Sequence, residues 1–195
     1  MKFLLSRKVN RATIHRYQLG YYNKSELSRL YDRVLFPIFD PYGNFCFYQG
    51  RALYDYEAAG TPKYWHESFE KSGLLYGLHE CADIAIDAPF IVLNEGPMDV
   101  LSLACAGIPA VASLGTTFSE EQAYLIRRYN KNVCIWRDAD SAGIKARQHA
   151  VPILQSVGLE VSYIGDTGEF KDPSDMWERA GLIEVARTLN ERFAA

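Results

Sequence analysis

The stretch Phe90 to Leu114, FIVLNEGPMDVLSLACAGIPAVASL, holds the pattern that decides the fold. Phe90-Ile91-Val92-Leu93 is a short apolar run broken by Asn94-Glu95-Gly96, which reads as a strand entering a turn. Pro97 suits the first position of a helix, where a missing N–H costs nothing. Met98, Leu101 and Cys105 then share one helical face, and Gly107 with Pro109 stops the element. Ala110 to Leu114 follows as a second strand, with Gly115 opening its turn. Strand, helix and strand at this spacing form a βαβ unit, and a parallel sheet follows from it.

The same alternation continues toward the C-terminus. Ser119-Glu120-Glu121-Gln122 has the S-x-x-Q form of a capping box and opens a helix carrying Tyr124, Leu125 and Ile126. Asn132 to Trp136 is a third strand, Ser141 to Val157 a third helix closed by Gly158, and Leu159 to Ile164 a fourth strand. Toward the N-terminus the pattern changes. Val34-Leu35-Phe36-Pro37-Ile38-Phe39 and Phe45-Cys46-Phe47-Tyr48 flank the turn Asp40-Pro41-Tyr42-Gly43, which makes a β-hairpin. Short helices are expected near residues 8–16 and 24–32. The fold class is therefore α/β, with an N-terminal α+β part before a mainly parallel sheet, and a soft boundary between 77 and 89.

A chain of 195 residues with 48% hydrophobic, 13% aromatic and 23% charged residues has the composition of a packed protein. It excludes a disordered tail or a low-complexity repeat. No apolar run nears the roughly 20 residues needed to span a bilayer. The apolar start Phe3-Leu4-Leu5 meets charge at once, so no signal peptide is read and a cytoplasmic location with no membrane partner is expected. Cys46, Cys81, Cys105 and Cys134 form no C-x-x-C pair, and the four histidines are scattered, so buried reduced thiols are expected rather than disulfides or zinc ligands. The net charge of −3 divides unevenly. Residues 1–75 carry 11 Lys+Arg against 7 Asp+Glu, and residues 76–195 carry 10 against 17. This division reads either as a basic surface joined to an acidic one or as an uneven spread of solvated charges.

Open parallel sheets place their sites at the carboxyl ends of the strands. Glu95 follows the first of these strands, Asp138 and Asp140 follow the third, and Asp172 and Asp175 lie after the fourth. In an extended D-x-D the alternate side chains point the same way, so both carboxylates can face one space. Crowded carboxylates favour a hard cation such as Mg²⁺, which takes oxygen ligands from one or two carboxylates plus substrate phosphates. Other readings stand beside this one. Asp172-Pro173 has the form of a helix N-cap followed by proline at the first position. Asp99 in the first turn of its helix complements the dipole without any catalytic role.

The order Asn94-Glu95-Gly96-Pro97-Met98-Asp99, Ala112-Ser113-Leu114-Gly115-Thr116-Thr117, Asp138-Ala139-Asp140-Ser141-Ala142-Gly143 and Lys171-Asp172-Pro173-Ser174-Asp175 resembles the Toprim module of bacterial DnaG-type DNA primases. Tyr31 to Ile38, Gly50-Arg51, Pro62-Lys63-Tyr64-Trp65, Lys71 and Leu75 to Leu78 are similar to the N-terminal part of the same polymerase core. So is the opening segment Phe3 to Tyr21. The resemblance implies three parts: residues 1–80 as the basic nucleotide- and template-binding subdomain, 88–180 as a Toprim, Rossmann-like domain, and 181–195 as a C-terminal helix. It implies primer synthesis on single-stranded DNA from ribonucleoside triphosphates, with Mg²⁺ or Mn²⁺ as cofactor.

Glu95, Asp138 and Asp140 would hold the ions or assist proton transfer, and Asp172 would add a ligand. Lys63, Tyr64 and Lys71 would bind the nucleotide, while Arg33 and Arg51 would contact DNA. A replicative helicase and a zinc-binding, template-selecting module on another chain are the implied partners, as in a phage or mobile-element protein. The sequence departs from the family pattern at Arg137 in place of an aromatic, at Ala139 in place of glycine, at Ser174 in place of the second aspartate of D-P-D, and at His66 in place of asparagine. Those departures keep two alternatives in view: a non-catalytic nucleic-acid-binding protein, and a Toprim nuclease.

Overall fold

The structure is a computed structural model and describes residues 1–115, 117–138 and 140–193, with side chains to residue 191. Ala139, the departure inside the D-x-D motif, lies outside the described residues. Two short helices, α1 (Lys2–Ser6) and α2 (Arg11–Arg16), lead into four antiparallel strands: β1 (Gly20–Tyr22), β2 (Arg33–Phe39), β3 (Phe45–Ala52) and β4 (Tyr64–Trp65), in that order across the sheet. The hairpin β2–β3 pairs Arg33 with Ala52 and Ile38 with Phe47. Its turn is fixed by the Asp40 carboxylate, which accepts from the backbone N–H groups of Tyr42 and Asn44 at 2.8 and 2.9 Å.

The expected helix at 24–32 does not form; the segment runs in turns up to the start of β2. Leu27 is 97% exposed there. A short helix is marginal in water unless an apolar face packs on something, and Leu27 packs on nothing.

After α3 (Leu78–Ala85), the chain builds the parallel sheet through β5 (Ile91–Asn94), α4 (Pro97–Cys105), β6 (Ala110–Ala112), α5 (Glu120–Tyr129), β7 (Asn132–Ile135), α6 (Ser141–Ser156) and β8 (Glu160–Tyr163). Helices α7 (Pro173–Ala180) and α8 (Leu182–Phe193) follow. The strand order is β6-β5-β7-β8, all parallel. The alternation along β5 shows why both faces are covered. Ile91 and Leu93 pack with Val111, Val133, Ile126 and Leu154 on the side of α3, α5 and α6. Val92 packs with Met98, Leu101, Ala110 and Cys134 on the other side.

That second face also receives Val34, Phe36 and Ile38 of β2, so the antiparallel sheet and the parallel sheet share one core. Tyr76 joins them at the edge, exchanging backbone hydrogen bonds with Ala112 at 3.0 Å in both directions. Gly77 is required beside it: at φ +86°, an added Cβ would sit 2.7 Å from a Val100 methyl and 2.9 Å from the Ala110 carbonyl oxygen. Among the described residues, the cysteines form no disulfide and no helix is long and apolar enough to cross a membrane.

Candidate active site

The chain leaves β5 toward β6 and later returns to place β7 on the other side of β5, so the carboxyl ends of β5 and β7 bracket a topological switch point. Asn94, the last residue of β5, is fully buried and donates from Nδ2 to the Trp136 carbonyl at 2.8 Å, tying the two strand ends together. Glu95 follows on one side and Asp138 on the other. Both line a cavity of about 460 Å³, whose walls also include Asp99, Lys171, Asp172 and Asp175 from the parallel-sheet half. Arg7, Arg51, Lys63 and Tyr64 of the N-terminal half close it. The basic and acidic halves read from the sequence thus meet across one space.

Each acid is positioned by local chemistry. Pro97 opens α4 and sets Asp99 in its first turn, where the Asp99 carboxylate accepts the Ser174 N–H at 3.4 Å. Asp172 caps α7, its Oδ1 accepting from the Asp175 N–H at 2.7 Å, while its Oδ2 lies 3.9 Å from Lys171 Nζ. The capping role expected for Asp172 and its place in the cavity coexist, because they use different oxygens. Asp138 Oδ2 lies 3.0 Å from the same ammonium.

Asp140 does not line the cavity. Its Oδ1 accepts the Gly143 N–H at 2.8 Å and caps α6, though its charge still acts on Glu95 and Lys171. Gly143 in D-x-D-S-A-G has a geometric reason. A Cβ there would lie 2.1 Å from the Asp138 carbonyl oxygen, so the helix start can close under the Asp138 loop only with glycine.

Burial and mutual repulsion push the acids toward protonation. The Asp99 carboxyl is held well above the usual carboxylate range, first by burial and then by Asp172 and Asp138. Burial also raises Asp172 and Glu95; Asp138 adds to both shifts, while Arg137 pulls Glu95 down. On the other wall the Lys63 ammonium is lowered by burial and by the neighbouring charges of Arg51, Lys171 and Arg7. Like charges are gathered on each side, which is unfavourable until something of opposite sign enters.

Besides Lys63, the expected binding residues Tyr64 and Arg51 line the cavity, and Arg33 and Lys71 lie outside its lining. Arg33 is 2% exposed. Its guanidinium donates to the carbonyls of Arg29, Gly50, Pro62 and Lys63 and to the Tyr54 hydroxyl, at 2.7–3.3 Å. A side chain with its donors committed inward holds the loop that carries Lys63. Lys71 donates to the Leu114 carbonyl at 3.1 Å and lies 3.2 Å from His66 Nε2, outside the cavity lining. Tyr64 lines the cavity, and its hydroxyl accepts from Arg51 Nη1 at 3.2 Å. Arg51 is also stacked on Phe3 and Tyr64, at 4.9 and 5.6 Å from the ring centroids.

The structure adds residues that stood outside the expected catalytic and binding set. Arg7 lines the cavity, pairs with Glu178, and donates to Ser174 Oγ at 3.3 Å. Asp99 is a buried carboxylate of the cavity wall, four positions after Glu95; that spacing at a helix start was its one local signal. Arg137, 1% exposed at its side chain, donates to Ser113 Oγ at 2.9 Å and stands 4.0 Å from Glu95 Oε2.

Comparison with known proteins agrees with this geometry. Residues 92–177 match the family model described as Toprim-like. The chain is 33% identical over 199 residues to the DNA primase of Borreliella burgdorferi, covering 99% of this chain and 37% of that one. The solved Aquifex aeolicus primase, with its zinc-binding and RNA polymerase domains, superposes with a TM-score of 0.86 at 29% identity, over 97% of this chain and 55% of that one. A DnaG primase catalytic domain solved bound to single-stranded DNA superposes at 0.81 with 25% identity, over 97% and 70% of the two chains. The chain belongs to the DnaG-type primase core family. It spans about a third of the length of the curated primases it matches, 32% and 37% for the first two.

Within this primase core the donor set suits a hard divalent cation, since Glu95, Asp138 and Asp172 offer carboxylate oxygens to one cavity. Among the described residues no three His, Cys, Asp or Glu side chains are gathered tightly enough to hold a metal ion unaided. A cation held by one or two carboxylates and completed by phosphate oxygens is the arrangement Mg²⁺ favours, because it keeps part of its water shell and gives it up reluctantly.

Proposed function

We propose that this chain is the nucleotidyl-transfer part of a primer-synthesising polymerase, joining ribonucleotides on a single-stranded DNA template. The cavity at the switch point carries the proposal, because it sets Glu95, Asp138 and Asp172 against Lys63, Arg51 and Arg7. Mg²⁺ or Mn²⁺ bound by the carboxylates neutralises charge on the triphosphate and polarises its oxygens. The protein's own groups do the rest.

Lys63 binds the triphosphate as a mobile point charge, and Arg51, held between Phe3 and Tyr64, offers its remaining donors in a fixed direction. Glu95 is placed to take the proton of the attacking hydroxyl, its carboxyl already raised by burial and by Asp138. Asp140 acts from the rim by fixing the start of α6 and adding negative charge. Lys71 and Arg33 hold the loops that present Lys63. The segment to residue 80 then forms the nucleotide- and template-binding wall and residues 88–180 the catalytic Toprim wall, with α8 (Leu182–Phe193) as a closing helix. The single-stranded template runs along the basic wall, and a helicase and a zinc-binding module on another chain supply recruitment and start-site choice.

The test is metal-dependent incorporation of labelled ribonucleotide on single-stranded DNA by the 195-residue chain, with and without a primase zinc-binding domain added. Activity in wild type, and its loss in Asp138→Asn with the thermal transition intact, is expected. Cleavage of the DNA without nucleotides would move the assignment to a nuclease.

A further inference from the structure

The acidic side of the cavity already contains a cation of its own. Lys171 Nζ lies 3.0 Å from Asp138 Oδ2 and 3.9 Å from Asp172 Oδ2, so it bridges two carboxylates that come from different elements. Asp172 directs only Oδ2 to it, because its Oδ1 is held by the backbone of α7. The backbone of Lys171 is fixed as well, its N–H donating to Asp175 Oδ2 at 3.2 Å. The side chain is 61% exposed, in contrast to 23% and 19% for the two carboxylates it bridges. A fixed stem with a solvated four-carbon arm can let go of its partners without disturbing the fold.

We infer that Lys171 is a displaceable internal counter-ion: its ammonium neutralises Asp138 and Asp172 while the site is empty, leaves them when a divalent cation claims the same oxygens, and then pairs with the phosphates of the nucleotide. This rests on the proposed reading of the cavity as a metal and triphosphate site. Two features favour departure over co-residence. The Asp172 oxygen that the ammonium faces is the one its helix cap leaves free. The opposite wall is already crowded with Lys63, Arg51 and Arg7, so a displaced ammonium finds stable company only beside an incoming anion.

One substitution should then have effects of opposite sign on two ligands. In Lys171→Met, Mn²⁺ alone should bind about five-fold more tightly, the worth of one exposed ion pair no longer competing. ATP binding in the presence of Mn²⁺ should weaken several-fold. Lys171→Arg, which keeps the charge, should restore both toward wild type. Electron paramagnetic resonance titration of free Mn²⁺ reads the first, and calorimetry with ATP reads the second. Mn²⁺ binding that is unchanged or weaker in Lys171→Met, or an arginine variant that behaves like methionine, would overturn the counter-ion role while leaving the metal site standing. Absence of Mn²⁺ binding to all three proteins would overturn the metal site itself and the counter-ion role with it.

Discussion

Gly143→Ala separates what helix chemistry wants from what the site needs. Gly143 stands in the first turn of α6, and by helix propensity alone an alanine there stabilises by about 1 kcal/mol. The added Cβ, however, lies 2.1 Å from the Asp138 carbonyl oxygen and 3.0 Å from its carbon. An ordinary carbon–oxygen contact needs about 3.4 Å or more, so the Asp138 backbone must retreat by roughly 1 Å. The obstacle is main chain, which has no rotamer to yield. Overpacking of this kind costs about 1–3 kcal/mol, so the two effects leave a net destabilisation of about 0–2 kcal/mol. At about 2–4 °C per kcal/mol for a chain of this size, the melting temperature should fall by less than about 8 °C.

Catalysis should suffer more. A 1 Å misplacement of a positioned group costs on the order of a hundred-fold in rate, and Asp138 is the group displaced. Primer synthesis should drop about a hundred-fold in protein that is still folded by circular dichroism. Activity within three-fold of wild type, with normal melting, would show that the tight start of α6 does not set the position of Asp138 and would refute the reasoning.

Three further outcomes follow from individual side chains. Lys63→Ala should weaken nucleotide binding in calorimetry while moving the melting temperature little, since a partly exposed lysine contributes at most about 1 kcal/mol to stability; equal affinities would return Lys63 to a surface role. Arg33→Met should behave oppositely, lowering stability by about 3 kcal/mol because its buried carbonyl partners lose their donor; a pure loss of DNA affinity with unchanged melting would restore it to the DNA-contact set. Glu80 is 7% exposed, its Oε1 has no hydrogen-bond partner, and burial pushes its carboxyl up from 4.5 to about 7. The folded state therefore holds this proton more tightly than the unfolded chain: its contribution is complete below about pH 4.5 and is lost as pH rises through 7, about 3 kcal/mol in all. Glu80→Gln should raise the melting temperature at pH 8 relative to wild type and not at pH 4; equal pH profiles for the two proteins would show that Glu80 titrates normally.

The parallel half was legible because its signals are local. Ile91 and Leu93 face one layer and Val92 the other, so a continuous apolar run could only be a strand buried on both faces. The capping box at Ser119 and Gln122 forms with both reciprocal hydrogen bonds. The second strand ends at Ala112, two residues before the sequence pattern does, because Leu114 turns to φ +60° and Ser113 Oγ donates to the Gly115 carbonyl at 2.7 Å. What escaped the sequence depends on partners far along the chain. Arg7 meets Ser174 across 167 positions, and Asp99 meets the same residue across 75. Nothing within one turn of Arg33 announces that its donors will be taken by carbonyls 17 and 30 residues away.

The family departures gain a physical meaning once charge is followed through the cavity. Ser174 replaces a carboxylate at a position that is 2% exposed, where its N–H donates to Asp99 and its hydroxyl accepts from Arg7 and faces Glu178. A carboxylate there would have to ionise beside Asp99 and Asp172, both already pushed toward protonation by burial, Asp99 further by Asp172 and Asp172 further by Asp138. Arg137 works in the same direction from below, replacing an aromatic with a buried cation 4.0 Å from Glu95. Its charge opposes the burial that raises Glu95 and keeps that carboxyl nearer to ionisation. Against the pattern the resemblance implies, these two positions thus carry one negative charge fewer and one positive charge more on the acidic wall. Asp138 is paired with the exposed arm of Lys171, so on the proposed reading of the cavity an entering cation should uncover it by moving a solvated side chain rather than buried structure.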